Sequence, residues 1–330
     1  MACASCTDPR ANFTLWITPA HYFQGSPAGG GNYTINLCKE CKDDIYADRN
    51  DKYWICHECD RAGVTTETIQ YRKSRRNTFY CTHCFSNKFN IVPVLRDYNA
   101  DVVEICDPVL KKNILYSGVE LEVVADRSRI SDVFNSLGLD YCITKKDSSI
   151  SNGFEIVTIP ATLEQHTIKF EKFLTDGISQ ISTDDSCGMH VHMTKKVIPG
   201  SSLLKMQFFM NACFNREFMD KVAGRVSETY AVLTPPKNGW RDFLDRRQVN
   251  KLKVSERYVG LNTRKPSTVE FRIFKSTLDY PTFISNIEFC YALVDFCNKT
   301  PINRFHLNFI NFLDYLKDSP FTFLKKRLCV

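Results

Sequence analysis

The sequence predicts an α+β protein, a curved antiparallel sheet backed by helices and preceded by a small cysteine-rich domain. Three observations predict it. Four short segments between Tyr116 and Phe274 alternate apolar and polar residues with a period of two. Segments with helical spacing lie between and after them. Eight of the fifteen cysteines form four C-x-x-C pairs within the first 84 residues, and the other seven are scattered singly.

The pairs are Cys3/Cys6, Cys38/Cys41, Cys56/Cys59 and Cys81/Cys84. Two thiolates two residues apart bite one tetrahedral ion, so four pairs provide two structural zinc sites of four cysteines each, with no open position for catalysis. Redox dithiols and iron–sulfur clusters are the competing uses. Cys38/Cys41 and Cys81/Cys84 each begin a stretch that reads as a short helix, and each first pair precedes turn-rich or hairpin-like sequence. That order favours sequential pairing, with Cys3, Cys6, Cys38 and Cys41 on one ion and Cys56, Cys59, Cys81 and Cys84 on the other. An interleaved cross-brace stays open. Gln24 to Asn32 holds four glycines and a proline and reads as an exposed loop. Arg72-Lys73-Ser74-Arg75-Arg76 lies at a hairpin, as a phosphate contact or a solvated tip. Between about Asn87 and Lys112 the cysteine pairs stop and Asp107-Pro108 marks a turn, which gives a zinc-binding domain over residues 1–100 and a larger domain over 112–330.

The larger domain starts with the strand Tyr116 to Val124. Val119, Leu121 and Val123 fall on one face, Gly118, Glu120 and Glu122 on the other. Two carboxylates roughly 6 Å apart repel by about 3 kcal/mol at an effective dielectric near 20, so a fold that holds them together supplies cations. A divalent ion is the simplest supplier. The competing reading is a half-buried strand whose acids meet water, Lys or Arg. Gly153 to Pro160 repeats the design with Glu155, Cys187 to Thr194 with His190 and His192, and Thr268 to Phe274 with Glu270 and Arg272. Side by side, these strands make an apolar back and a front of carboxylates, imidazoles and a guanidinium. Such a front suits magnesium and phosphate.

Around these strands, Arg129 to Leu137 reads as a short helix closed by Gly138, and Tyr141 to Thr144 as another strand. Asp147 to Gly153 is a tight turn in which Asp147 is a turn cap, or a contact to metal or amine. Pro160 to Gly177 is helical, with Leu163, Phe170 and Leu174 on one stripe. Ser201 and Ser202 cap one long helix that runs to about Val222 and ends in Ala223-Gly224-Arg225. Arg225 is then either a partner of that helix end or a ligand contact. Tyr258 to Asn262 reads as a strand leading into the Glu270 strand, Tyr280-Pro281 opens a helix through Phe296, and the last 25 or so residues add apolar helical cover.

With 330 residues, 43% apolar and 24% charged, the chain has enough substance for a main domain and a smaller attachment. A net charge of +6 neither requires nor excludes an anionic partner. No apolar run reaches the roughly 18–20 residues that cross a bilayer, and the N-terminus lacks a signal-peptide pattern. No membrane partner and a cytoplasmic location are the expectations.

The ordered set G-V-E-L-E-V, D-S-S-I, F-E-I-V-T-I-P, C-G-M-H-V-H, A-G-R, L-N-T and T-V-E-F-R-I-F, spread from about Leu115 to Phe296, resembles the amidoligase family. That family is similar to glutamine synthetase and glutamate-cysteine ligase, and its members are common in tailed bacteriophages. The resemblance implies a glutamine-synthetase-like catalytic domain that joins a carboxylate to an amine at the expense of ATP, in the host cytoplasm if phage-encoded. It implies Glu120, Glu122, Glu155 and Glu270 as ligands of two or three magnesium ions and Asn262 of L-N-T in the cofactor site. It also implies His190 or His192 at metal or nucleotide phosphate, and Arg272 and Arg225 on the moving phosphoryl group. One departure is Asp147-Ser148-Ser149, where the family more often carries Asp-Gly-Ser.

For the histidines, a zinc hydrolase would bring further ligands, and seven histidines in the whole chain leave few. The expected function is an ATP-dependent carboxylate–amine ligase acting through an acyl phosphate on a peptide, protein or cell-wall peptide. Its zinc modules would recruit or orient substrate. The alternative is a zinc-finger adaptor for nucleic acid or protein whose ligase-like domain is inactive. The front is intact in every strand, which favours the ligase.

Overall fold

The structure, a computed structural model, describes residues 93–103, 108, 110–150, 152–176, 180–226, 231–233, 259–302 and 305–330, together with Cys84 and the backbone of six short strands nearer the N-terminus. Those six pair two by two and antiparallel: β1 (Phe13–Ile17) with β2 (Tyr33–Leu37), β3 (Tyr53–Ile55) with β4 (Ala62–Val64), and β5 (Tyr71–Arg72) with β6 (Phe79–Tyr80). Arg72, the first residue of the basic run, lies in the last of these pairs, and the rest of the run lies outside the described residues. Among the eight paired cysteines, Cys84 alone is described, and it is buried. The other seven, and the pairing of all eight on zinc, lie outside the described residues.

The larger part is a mixed α+β structure, an open, mostly antiparallel sheet backed by helices. Among the described residues it has eight strands. Their order across the sheet is β13 (Leu261–Asn262), β14 (Thr268–Lys275), β12 (Gly188–Thr194), β8 (Ser117–Ala125), β10 (Gly153–Thr158), β9 (Cys142–Lys145) and β7 (Leu95–Arg96), with β11 (Ile181–Ser182) on the far end of β8. Every pair is antiparallel except β7 with β9. The four alternating segments are therefore neighbours, β14-β12-β8-β10. Their odd-side residues Val119, Leu121, Val123, Phe154, Ile156, Met189, Val191, Met193, Val269 and Phe271 have no exposure at all. At roughly 1.5–3 kcal/mol for each buried apolar side chain, that back face is what locks the register and hence the front.

The back is covered by α1 (Ile130–Leu137), α2 (Leu163–Thr175), α3 (Gly200–Asn211), α4 (Arg216–Ala223), α5 (Tyr280–Lys299), α6 (Phe309–Lys317) and α7 (Thr322–Leu328). Gly138 closes α1 with φ 102°, a conformation an L side chain resists. Asp279 caps α5 by accepting from the Thr282 N–H at 3.0 Å, with Pro281 in the first turn. Phe312 of α6 lies 5.4–5.8 Å, centroid to centroid, from Phe209, Phe218, Phe289 and Phe296, which ties α3, α4 and α5 together. Beneath the sheet, His166 of α2 accepts from the Tyr141 hydroxyl and donates through Nε2 to the Ser117 carbonyl at 2.7 Å. Burial pushes its imidazole down to about 4 and keeps it neutral.

Three expectations are corrected. The helix assigned to Pro160–Gly177 begins at Leu163, because Ala161 exchanges two 2.8 Å hydrogen bonds with Ser117 and Thr162 caps the helix, sharing a capping box with Gln165. The single long helix to Val222 is two, since Ala212 is extended at ψ 129°. The break is held by buried Asn215, which donates to the Phe209 carbonyl at 2.9 Å and accepts from the Phe309 N–H at 2.9 Å. Ser201 and Ser202 do not cap α3; its N-cap is Pro199, and Ser202 donates to the Cys297 carbonyl. The sheet also takes β7 from within residues 1–100, the range assigned to the zinc domain. Among the described residues no helix is long and apolar enough to cross a membrane.

Candidate functional site

Pairing brings the front residues together as the period of two requires. Glu155 stands opposite Glu122, His190 opposite Glu120, His192 opposite Glu270, and Asn262 opposite Glu270. Glu120, Glu122, Glu155, His190, Asn262, Glu270, Arg225 and Arg272 line one cleft of about 2230 Å³. His192 sits beside it, between Glu120 and Glu270. A volume above the roughly 300–1,000 Å³ of a pocket for one small molecule leaves room for more than one substrate.

Three groups of ligand atoms within 4.8 Å of one another run along the front: Glu120, His192 and Glu270; Glu120, Glu155 and His190; and Glu122, Asp147 and Glu155. Glu120 and Glu155 each belong to two of them. His190 Nδ1 is 3.1 Å from Glu120 Oε2. His192 Nε2 is 3.0 Å from Glu120 Oε1 and 3.9 Å from Glu270 Oε1, buried between the two. A buried ring nitrogen lying between two carboxylates is placed to share a cation with them. Carboxylate-rich sets suit a hard ion such as Mg2+.

Electrostatics varies along the row. Burial works against the Glu120 carboxylate, but the His192 and His190 imidazoles outweigh it and hold the group well below the usual carboxylate range. Burial, aided by the charge on Glu120, pushes Glu155 well above that range, with Lys145 opposing. Burial likewise raises Glu122 against the pull of the Gly188 N–H, which Glu122 Oε2 accepts at 2.6 Å. At Glu270 burial loses to the charges of His192 and Arg272, and the carboxyl is lowered. The costliest carboxylates, Glu122 and Glu155, are those grouped with Asp147, where a bound cation would offset most repulsion.

Arg225 and Arg272 are placed by the backbone of β14. The β12–β14 register shifts between Met189 and Val191, whose partners are Phe274 and Phe271. Phe274 is thereby turned into the core with Phe271, one more apolar residue than strict alternation allows. At the same place Arg225 donates through Nη2 to the Arg272 carbonyl at 2.9 Å and through Nε to the Ile273 carbonyl at 3.2 Å. The end of α4 is served instead by Arg327, which donates to the Val222 carbonyl at 2.8 Å. Arg225 is thus a cleft residue and not a partner of that helix end. Gly188 makes the arrangement fit: a Cβ there would lie 2.9 Å from Arg225 Nη2 and 3.0 Å from Nη1. Arg272 itself donates to Glu270 through Nη1.

Asn262 donates to Glu270 Oε2 at 2.9 Å and accepts from the Arg264 N–H, so it orients a carboxylate. Asp147 is a turn cap that accepts from the Ser149 N–H at 2.6 Å, and its carboxylate also lies within ligand reach of Glu122 and Glu155. Lys145 escapes sequence reasoning. It ends β9 opposite Glu155, with Nζ 3.7 Å from Glu155 Oε2, and lines the cleft. Its only signal is a cross-strand partner, which is invisible until β9 is known to pair with β10. Compared with protein-family models and with curated proteins, the chain matches none.

Proposed function

We propose that the chain is an ATP-dependent carboxylate–amine ligase of the amidoligase type, with two structural zinc ions on the paired cysteines of residues 1–100. The observation that carries the proposal is the unbroken row of three ligand groups, Glu270 to Asp147, with Arg225 and Arg272 lining the same cleft. A site for one ordinary hydrolytic metal needs a single such group. A row that shares Glu120 and Glu155 suits several cations on a triphosphate, and guanidiniums suit its oxygens. The helix-backed antiparallel sheet supports the glutamine-synthetase-like reading.

A carboxylate is a poor electrophile. In the proposed reaction its oxygen attacks the γ-phosphorus of ATP, the bond to ADP breaks, and an acyl phosphate forms. An amine then attacks the acyl carbon, inorganic phosphate leaves, and the amine nitrogen gives up a proton. Magnesium, held by Glu120, Glu122, Glu155 and Glu270 with a histidine, would neutralise the phosphate charge. Arg272 and Arg225 hold the transferred phosphoryl oxygens, and rigid attachment of Arg225 to β14 removes the need to order it during reaction. Asn262 keeps Glu270 in its rotamer.

The test is ADP release by the full chain with Mg2+, ATP, a mixture of carboxylic acids and hydroxylamine as a general amine. Glu270→Ala and Arg272→Ala are expected to lower it at least 100-fold, about 2.7 kcal/mol of barrier, with an unchanged circular dichroism spectrum. Chelation of Mg2+ is expected to do the same. Turnover that survives both substitutions and chelation overturns the proposal.

A further inference from the structure

We infer that Lys145 is the anchor for the carboxylate of the acid substrate, which places that substrate at the β9–β10 end of the cleft. The inference rests on the ligase reading and gives it a direction. Lys145 Nζ has Glu155 Oε2 at 3.7 Å, beyond hydrogen-bond distance, and its side chain keeps 14% exposure into the cleft. Its neighbour Lys146 has found a true hydrogen bond, to Asp97 at 2.9 Å. An ammonium has three protons to donate, and a mostly buried one is stabilised only by partners. Those of Lys145 are directed to whatever fills the cleft.

Charge identifies the partner. Lys145 stands beside Glu155, a member of the one group made of carboxylates alone, Glu122, Asp147 and Glu155. A cation bound there and the Lys145 ammonium would repel each other unless an anion with one oxygen for each lay between them. A carboxylate has those two oxygens, and a lysine is a point charge that imposes no planar, two-pronged geometry. The phosphoryl group to be moved has its own basic residues, Arg272 on β14 and Arg225 bonded to the β14 backbone. β9 and β14 are four strand positions apart, roughly 19 Å at about 4.8 Å per step. Lys145 and Arg272, the arginine on β14 itself, stand on strands that far apart and so are placed to address different groups. Leu95 and Tyr98 line the Lys145 end, and Tyr98 is 76% exposed, which offers an aromatic surface beyond that carboxylate.

Oxyanions of two sources compete for this lysine, the acid and a nucleotide phosphate, and titration calorimetry on the full chain with Mg2+ separates them. One arm titrates β,γ-imido-ATP. The other titrates glutamate, aspartate, succinate and a glutamyl dipeptide, with and without the nucleotide analogue. Wild type is compared with Lys145→Met and Lys145→Arg, each shown folded by its melting curve. The expected result is at least a tenfold loss of carboxylate binding in Lys145→Met, partial recovery in Lys145→Arg, and less than a threefold change for the analogue. A tenfold loss for the analogue with carboxylate binding intact makes Lys145 a nucleotide contact and overturns the inference. So does equal carboxylate binding by all three proteins, or none by wild type. Failure of the ligase reading is a distinct result: wild type then binds no nucleotide analogue, while the carboxylate arm without nucleotide still decides Lys145.

Discussion

At position 188 the space available to a methyl group is already occupied by the guanidinium of Arg225. Arg225 cannot simply swing aside, because two carbonyls of β14 hold it. Gly188→Ala is therefore expected to displace Arg225 and to cost about 1–3 kcal/mol of stability, the usual range for overpacking. We expect ADP release to fall at least tenfold, with the double variant Gly188→Ala/Arg225→Ala no slower than Arg225→Ala alone. A double variant markedly slower than either single one would mean that Gly188 acts by some other route. The front glutamates and histidines were legible from a period of two because single-residue spacing decides the face of a strand. Lys145 was not, because its significance depends on which strand lies next to β9.

Among the elements, α7 shows how a short helix is held. Its first turn presents N–H groups to Glu288 of α5, whose Oε2 accepts from the Leu324 N–H at 2.6 Å. Burial pushes the Glu288 carboxyl up from 4.5 to about 7, with those N–H groups pulling the other way. The folded pKa exceeds the unfolded one, so the stabilisation is complete below pH 4.5 and is lost as pH rises through about 7. Between pH 5 and 8 we expect stability to decline by about 1–2 kcal/mol after allowance for solvent screening. Glu288→Gln should flatten that decline in urea titrations, and an unchanged slope would dismiss the assignment. Element boundaries were the less legible part of the sequence. The apolar spacing of Phe208 to Phe218 runs straight through the break between α3 and α4, and the break comes from Asn215 bonding to residues from Leu307 and Phe309, nearly a hundred positions away. Likewise, the inward turn of Phe274 comes from a register shift that no strand pattern announces.

On the scale of the molecule, the sheet reaches further upstream than the cysteine pattern suggests. β7 joins β9 in parallel, and the connection is reinforced by Thr144 donating to the Val94 carbonyl at 3.0 Å and by the Lys146–Asp97 pair. A chain starting at residue 93 is expected to melt like the full chain within its sheet domain, and one starting at residue 101 to lose about 1–3 kcal/mol with the lost edge bonds. Equal melting of the two truncations would show β7 to be dispensable. The overall α+β class was legible because alternation, helical spacing and paired cysteines occupy separate parts of the chain.

Among the described residues the strands at the two ends of the sheet order, β13 and β7, are only two residues long, and Val232 bridges Val259 just ahead of β13. Short margins give a foreign strand almost nothing to zip onto, and Arg96 and the adjoining Asp97 add charge on one of them. The deeper β9, with four residues in a row, is the ledge that β7 screens. Among the described residues the acidic cleft thus lies on a sheet whose margins offer little for a second copy to pair with.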